Sequence, residues 1–208
     1  MKNKLFLSLI AISFSSCTSI YYFHTAADPN IKIEQSMYVY ENDTIQIVYD
    51  FWTNCGKMSF TVYNKLNIPI FIDWKNSALI VNDNKNVYYV EMETRNGNSV
   101  RVSYNGVTSG FEKSVAVKNE RVTSVPPRTR IKKELAPLRK NVAPKKEGYT
   151  LVFRNFLAFS TYEEVKSDVY IDNGFHVTNV EHLKGKQLKK LPKTNPMDFF
   201  TNLQSKIK

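Results

Sequence analysis

Cysteine and histidine, the residues that most often build metal and nucleophilic sites, are scarce in this chain. Its 208 residues include two cysteines, three histidines and only seven scattered glycines. His176 and His182 are six residues apart, which fits neither a strand pair nor a helical pair of zinc ligands. The glycines form no phosphate-binding loop, dinucleotide fingerprint or G-x-S-x-G turn. The sequence therefore predicts no catalytic residue, no metal and no cofactor.

The chain also lacks an apolar run long enough to cross a membrane. Residues 5–14 are ten uncharged, mostly apolar residues, whereas a spanning helix needs roughly 20 to cross a core of about 30 Å. Lys2 and Lys4 precede this run and small residues follow it, which is the anatomy of a signal peptide. The sequence predicts a signal-peptide helix over residues 1–16 and an exported body.

Ser15, Ser16 and Cys17 resemble the lipobox of bacterial lipoproteins, in which the cysteine is acylated and becomes the mature N-terminus. The resemblance implies cleavage between Ser16 and Cys17 and lipid attachment at Cys17. One acyl chain holds a protein only marginally, and bacterial lipoproteins typically carry three. The alternative is a plain secretory signal with a cysteine nearby by chance. With Cys17 acylated, Cys55 is the only thiol left, so the mature chain forms no internal disulfide.

Acidic residues are outnumbered, and the formal charge is +10 at pH 7. Residues 118–147 hold ten lysines and arginines against three glutamates, and residues 184–208 hold seven lysines against Asp198 alone. For an exported protein this favours anionic envelope components or another envelope protein over nucleic acid. A plain solvated surface is the alternative. The candidate anion-binding residues are Arg128, Arg130, Lys132, Lys133, Arg139 and Lys140.

Apolar and polar residues alternate through most of the body, which is typical of strands. "TIQIVYDFW" (44–52) and "KMSFTVYNK" (57–65) each place every second residue on one face. Ten or so such segments, joined by short turns and without a helical period between them, predict an all-β fold. We expect an antiparallel β-sandwich of the immunoglobulin-like kind.

The domain organisation follows from shifts in composition along the chain. We expect a signal peptide over 1–16, a tether over 17–30 and a β-sandwich domain over 31–194. A strand docked on the domain is the alternative for the tether, because residues 20–23 have high β-propensity. Within the domain, the proline-rich basic stretch 125–147 predicts an edge strand that leads to an exposed excursion.

The C-terminal residues 195–208 predict a short amphipathic α-helix. Asn195 is a suitable N-cap and Pro196 suits the first turn. Phe199, Leu203 and Ile207 then recur at intervals of four residues.

Two further positions are candidate sites. Asp73 precedes Trp74, which could stack on a ligand, so Asp73 is the centre of a rival hypothesis of an envelope hydrolase. The alternative is a carboxylate paired with a nearby lysine such as Lys75. Residues 43–45 resemble the short Asp-Thr/Ser-apolar motif at which Bacteroidota glycosylate exported proteins, which would place the glycan on Thr44.

Segments between residues 38 and 182, among them "VYDFWTNCGKMSFTVYNKLNIPIFIDWKNSALIVN", "PPRTRI", "FRNFLAFST" and "YIDNGFHV", resemble Bacteroidota lipoproteins without assigned function. The resemblance implies an outer-membrane lipoprotein with a sandwich body. No acidic cluster follows Cys17, which favours the periplasmic face over the cell surface, the alternative. We therefore expect a lipid-anchored, non-enzymatic binding or structural module. Its rivals are the hydrolase and an assembly subunit that pairs through a strand edge.

Overall fold

The computed structural model describes residues 19–89, 100–104, 107–111, 120–139, 144, 150–162 and 169–203. Its only helix in these ranges is a 3-10 helix at Gly185–Lys190, so none of the helices described could span a membrane. In chain order the strands are β1 (Ser19–Ala27), β2 (Lys32–Glu34), β3 (Met37–Glu41), β4 (Ile45–Tyr49), β5 (Lys57–Asn64), β6 (Ile70–Asp73), β7 (Ala78–Val81), β8 (Asn84–Val87), β9 (Val100–Tyr104), β10 (Val107–Phe111), β11 (Val122–Val125), β12 (Arg130–Pro137), β13 (Val152–Ser160), β14 (Val169–Lys184) and β15 (Phe199–Leu203).

Two antiparallel sheets make up most of the fold. The larger sheet has eight strands, with the main order β11-β6-β13-β14-β1-β15, and β7 and β8 extend it beside β13. The smaller sheet has five strands in the order β12-β5-β4-β3-β2, and β9 and β10 form a separate hairpin. The prediction of an all-β, antiparallel fold is confirmed.

Both sheets contribute to a single hydrophobic core. In β4 the predicted alternation holds, because Ile45, Ile47 and Tyr49 are all fully buried. The Tyr49 ring meets the edge of Phe175 from β14, with the ring centroids 4.8 Å apart. Such aromatic pairs add about 0.5–1.5 kcal/mol beyond the area they bury, so these contacts help to hold the two sheets together.

A hydrogen-bonded group of polar side chains lies inside this core. The Tyr49 hydroxyl accepts hydrogen bonds from the side-chain amides of Asn155 (3.0 Å) and Asn173 (2.7 Å), while the Tyr88 hydroxyl donates to Asn155 Oδ1 (2.7 Å). Burial raises the pKa of Tyr49 above its usual range, since the phenolate would be desolvated there. Because buried polar groups are costly unless they are paired, this network favours one alignment of the two sheets.

The predicted tether is largely a strand. Residues 19–27 form β1 inside the larger sheet, which corresponds to the docked-strand alternative and not to a free linker. Both faces of β1 are covered at its centre, since Phe23 is fully buried in the core and Tyr22 on the other face hydrogen-bonds Asp198. This two-sided burial explains why residues 20–23 are continuously apolar or aromatic rather than alternating.

The predicted C-terminal helix is wrong in the described part of the segment 195–208. A turn does begin at Asn195, whose carbonyl accepts from the amide of Asp198. The chain then extends into β15, which pairs with β1 and places Phe199 in the core at zero exposure. Pairing with β1 provides hydrogen-bond partners for the backbone of β15 and buries Phe199. A short helix exposed at the surface would not bury this side chain.

The basic stretch 125–147 contains the predicted edge strand. β12 lies at the edge of the smaller sheet and pairs with β5 only. Residues 140–143 and 145–147 of the predicted excursion lie outside the described residues.

Candidate functional site

The predicted lipid-attachment site is two residues before the first strand of the larger sheet in the sequence. Ser16, Cys17 and the predicted signal-peptide helix fall outside the described residues, but Ser19 is the first residue of β1. Only Thr18 separates Cys17 from this strand. Two residues of extended chain reach at most about 7 Å, so a lipid on Cys17 would keep this end of the sheet close to a membrane.

The end of β14 and the segment that follows it, at the same end of the sheet, are rich in lysines. We call these residues the anchor-end lysines. Lys184, the last residue of β14, is the ladder partner of Ser19, and the 3-10 helix that follows contacts both β14 and β1. The segment is fixed further on, where Trp52 Nε1 donates to the carbonyl of Lys193 (3.0 Å). All members of the group are exposed: Lys184, Lys186, Lys189, Lys190 and Lys193.

The predicted anion-binding residues do not form one surface. Arg128, whose backbone is left-handed with φ +57°, donates from Nε to Asn67 Oδ1 (3.0 Å). Arg130 lies over the ring of Tyr63, 4.6 Å from its centroid. Lys132 pairs with Glu134 at 2.8 Å on the exposed side of β12. These three cations are exposed, yet each is already engaged by a neighbour in the chain.

Two other members of the predicted set point towards the protein. Lys133 Nζ lies 4.5 Å from the ring centroid of Trp74, and burial lowers the pKa of Lys133. The Arg139 guanidinium lies 4.6 Å from the ring centroid of Phe23. Lys140 lies outside the described residues. Strand alternation sends every second side chain of β12 inwards, which a count of charges along the sequence does not reveal.

Asp73 stabilises the turn between β6 and β7. β6 and β7 both pair with β13, and the residues between them bulge out of the ladder. The fully buried Asp73 carboxylate accepts hydrogen bonds from the Lys75 amide (3.0 Å) and the Asn76 side chain (2.8 Å). Ser77 Oγ donates to the Asp73 carbonyl (2.6 Å) and accepts from the Ala158 amide (2.9 Å), which replaces a ladder bond. The predicted partner Lys75 is therefore engaged through its backbone.

Asp73→Ala is expected to lower the free energy of unfolding by about 1–3 kcal/mol, because the Lys75 amide and the Asn76 side chain lose a charged acceptor that is itself buried. Urea unfolding followed by circular dichroism measures the change. Asp172→Ala is the matched control, since Asp172 forms an exposed ion pair with Arg154 and should cost less than about 1 kcal/mol. Equal effects of the two substitutions would contradict the structural role of Asp73.

A polar cluster that sequence reasoning missed surrounds Asp198, at the turn before β15. The Asp198 carboxylate accepts hydrogen bonds from the Tyr22 hydroxyl (2.7 Å), the Thr25 amide (2.9 Å) and the Asn195 side chain (2.9 Å). Burial and the contact with Asp198 raise the pKa of Tyr22 above its usual range. Tyr22 and Asp198 are 176 positions apart in sequence, and no local pattern indicates their pairing.

His24 connects this cluster to β14. Its Nδ1 lies 3.3 Å from Asp198 Oδ2, and its Nε2 lies 2.9 Å from Glu181 Oε1. The ring also meets the edge of the Tyr22 ring. Within the described ranges, no group of three or more acidic, histidine or cysteine side chains is arranged to hold a metal ion. The contacts of His24 tie β1 to β14 and to the turn before β15.

Cys55 lies buried in a tight turn. Its φ of +69° is left-handed, and its amide donates to the carbonyl of Phe200 (2.6 Å). Burial raises the pKa of the Cys55 thiol, although Thr201 and Arg139 act in the opposite direction. A thiol with a raised pKa and little exposure reacts slowly, since the thiolate is the nucleophile.

In a Cys17→Ser variant, Cys55 should react with Ellman's reagent on the order of 100-fold more slowly in the folded protein than in urea. Absorbance at pH 8 follows the reaction of this single thiol. Comparable rates in the two states would contradict the burial of Cys55.

Thr44, the predicted glycosylation residue, lies in the turn between β3 and β4. It is half-buried; its amide donates a hydrogen bond to Asn42 Oδ1 (2.9 Å), and its carbonyl accepts one from the Lys65 amide. The neighbouring Asp43 is exposed. The motif therefore falls in a surface turn, where added sugars meet solvent.

Comparison with known proteins supplies no relative for this arrangement: no protein-family model matches the chain, and neither a curated protein nor a solved structure matches it significantly.

Proposed function

We propose that this protein is a lipoprotein of the bacterial cell envelope, anchored through Cys17, whose β-sandwich body serves as a non-enzymatic binding or structural module. The observation that carries the proposal is the short distance in sequence between the predicted signal peptide and the first strand of the fold. A lipobox-like sequence ends at Cys17, and β1 begins two residues later at the centre of three paired strands. With only Thr18 between Cys17 and β1, a second cleavage site between the signal peptide and the domain has no room.

The sandwich architecture is part of this proposal. Tyr49 and Phe175, from different sheets, share one core, which is the packing that a two-sheet sandwich requires. The immunoglobulin-like connection pattern stays a prediction.

A binding or structural role fits the described side chains better than hydrolysis does. Both oxygens of Asp73 face the chain's own turn, and the ring of the neighbouring Trp74 is buried. A hydrolytic carboxylate must instead reach a substrate and a water molecule. The hydrolase hypothesis therefore draws no support from these contacts.

Assembly through a strand edge is also less favoured at the smaller sheet. Its edge strands carry Lys32 and Glu34 on β2 and Lys132 and Glu134 on β12, although Ile33 between the first pair is exposed. Charged side chains on edges are a common protection against pairing with another chain.

Intact-mass spectrometry of the protein extracted from bacterial membranes tests the proposal. The expected species starts at Cys17 and carries the added mass of its acyl chains. An uncleaved or unmodified N-terminus would contradict the anchor. A further sugar mass that disappears in Thr44→Ala would support glycosylation at Thr44.

For location, we propose the periplasmic face of the outer membrane, with the cell surface as the alternative. The support is the absence of acidic residues directly after Cys17. Protease treatment of intact cells should leave the domain uncut, and its digestion would place the protein on the surface.

A further inference from the structure

We propose that the anchor-end lysines form a docking surface for an anionic membrane, so that the body rests on the bilayer with this end of the larger sheet. The inference rests on the proposed acylation of Cys17, because the anchor brings the surface to the lipid. It assigns the contact to the 3-10 helix and its flanks instead of to the predicted basic residues of β12.

The first argument is distance. Two residues of chain hold Cys17 within about 7 Å of Ser19, and neighbouring strands are about 5 Å apart. An acylated Cys17 would therefore place Lys184 close to the lipid headgroups. Ser19 and Lys184 are paired in the ladder, and the 3-10 helix contacts β1 as well. At physiological salt the Debye length is about 8 Å, so charges at this end act on headgroups without being fully screened.

The second argument is that this charge is not neutralised locally. Residues 184–194 contain five lysines and no acidic residue. The nearest acids along the chain, Glu181 and Asp198, contact His24 and Tyr22, and among the described residues neither forms an ion pair with these lysines. By contrast, Lys132 of β12 already has Glu134 as its partner. Within the part of the chain that the structure describes, the anchor-end lysines therefore have no acidic partner near the point where the proposed anchor enters the fold.

The third argument selects a membrane as the partner. A basic surface of this size binds weakly in solution, but a covalent anchor turns its encounter with lipid into an intramolecular one. Long lysine side chains also reach across an interface while their charges stay hydrated. An anionic bilayer is thus the surface that these lysines meet continually, whereas a soluble polyanion must compete for them.

The test uses the mature lipoprotein, reconstituted by its own anchor into two kinds of vesicle. One contains phosphatidylcholine alone and the other contains about a third phosphatidylglycerol. Acetylation of lysines by a water-soluble ester is followed at each residue by mass spectrometry. Lys186, Lys189 and Lys190 should be modified roughly threefold or more slowly in the anionic vesicles, and high salt should remove the difference. Lys85 is the internal control, since β8 lies towards the opposite end of β1.

A charge-neutral variant gives a second measurement. In the triple variant Lys186→Gln, Lys189→Gln, Lys190→Gln, the difference between vesicles should disappear at Lys184 and Lys193 as well. The matched control Lys85→Gln, Lys132→Gln should keep it. Circular dichroism confirms that both variants are folded, which is expected because all the substituted side chains are exposed.

Two results would overturn the docking surface. One is equal acetylation of the anchor-end lysines in neutral and anionic vesicles. The other is equal protection in both vesicles at every salt concentration, because the anchor alone would then impose the contact. If the intact mass finds Cys17 unmodified, the proposed anchor fails separately. Flotation of that unmodified protein with phosphatidylglycerol vesicles at low salt then supports the surface, and its absence from the floated fraction overturns it.

Discussion

Replacing Cys17 with serine is expected to move nearly all of the protein from the salt-washed membrane fraction to the soluble fraction. Each buried methylene of an acyl chain contributes about 0.8 kcal/mol, so several chains hold a protein essentially permanently. The anchor-end lysines cannot replace them, because a basic residue contributes only about 1 kcal/mol near an anionic surface and salt screens it. Immunoblotting of the two fractions after a high-salt wash measures the shift.

Cys55→Ala is the matched control for this prediction. It removes the other thiol, which is buried within the fold, and should leave the protein in the membrane fraction. A Cys17→Ser variant that remains in salt-washed membranes would show that attachment does not depend on the lipobox cysteine.

Strands with one buried face were predictable because their pattern is local. β4 buries alternate residues, β5 does so except at Ser59, and the register of Ile47 opposite Val62 continues the same buried face across both strands. The residues between β7 and β8 form a hairpin turn, with positive φ at Asn82 and Asp83. In such segments the hydrophobic period, the turn residues and the fold agree.

Strands β1 and β15 were not predictable in this way, because their partners are far apart in sequence. β1 has no single polar face, since Asp198 and Trp52 cover the side of Tyr22. In β15 the turn at Asn195 has the signals of a helix start, but the following backbone bonds to β1. Local signals predicted the turn correctly and could not identify the partner strand.

Charge was predictable in amount and not in position. The sequence indicated two basic segments, yet in the first of them Lys133 packs on Trp74 and Lys132 pairs with Glu134. In the second segment, the described lysines stay exposed because the 3-10 helix lies at the end of the sheet. Only the pairing of β14 with β1 shows that the anchor-end lysines lie beside the strand that follows Cys17.

Thr201→Lys is expected to lower the free energy of unfolding by about 3–5 kcal/mol, a large share of the 5–15 kcal/mol typical of a domain. Thr201 has no exposed surface in β15, and its hydroxyl accepts a hydrogen bond from Arg139 (2.8 Å). A lysine would bring an unpaired charge into this site, next to another cation. In a helix with Phe199 and Leu203 on its buried side, residue 201 would face solvent and tolerate lysine, so the substitution distinguishes the strand from the helix.

The matched control is Thr194→Lys, the same substitution at an exposed position of the preceding loop. It should change the stability by no more than about 0.5 kcal/mol. Urea unfolding of both variants, read by circular dichroism, gives the two values on one scale. If Thr201→Lys were as well tolerated as Thr194→Lys, residue 201 would not be buried. The pairing of β15 with β1, and with it the burial of β15 in the core, would then be wrong.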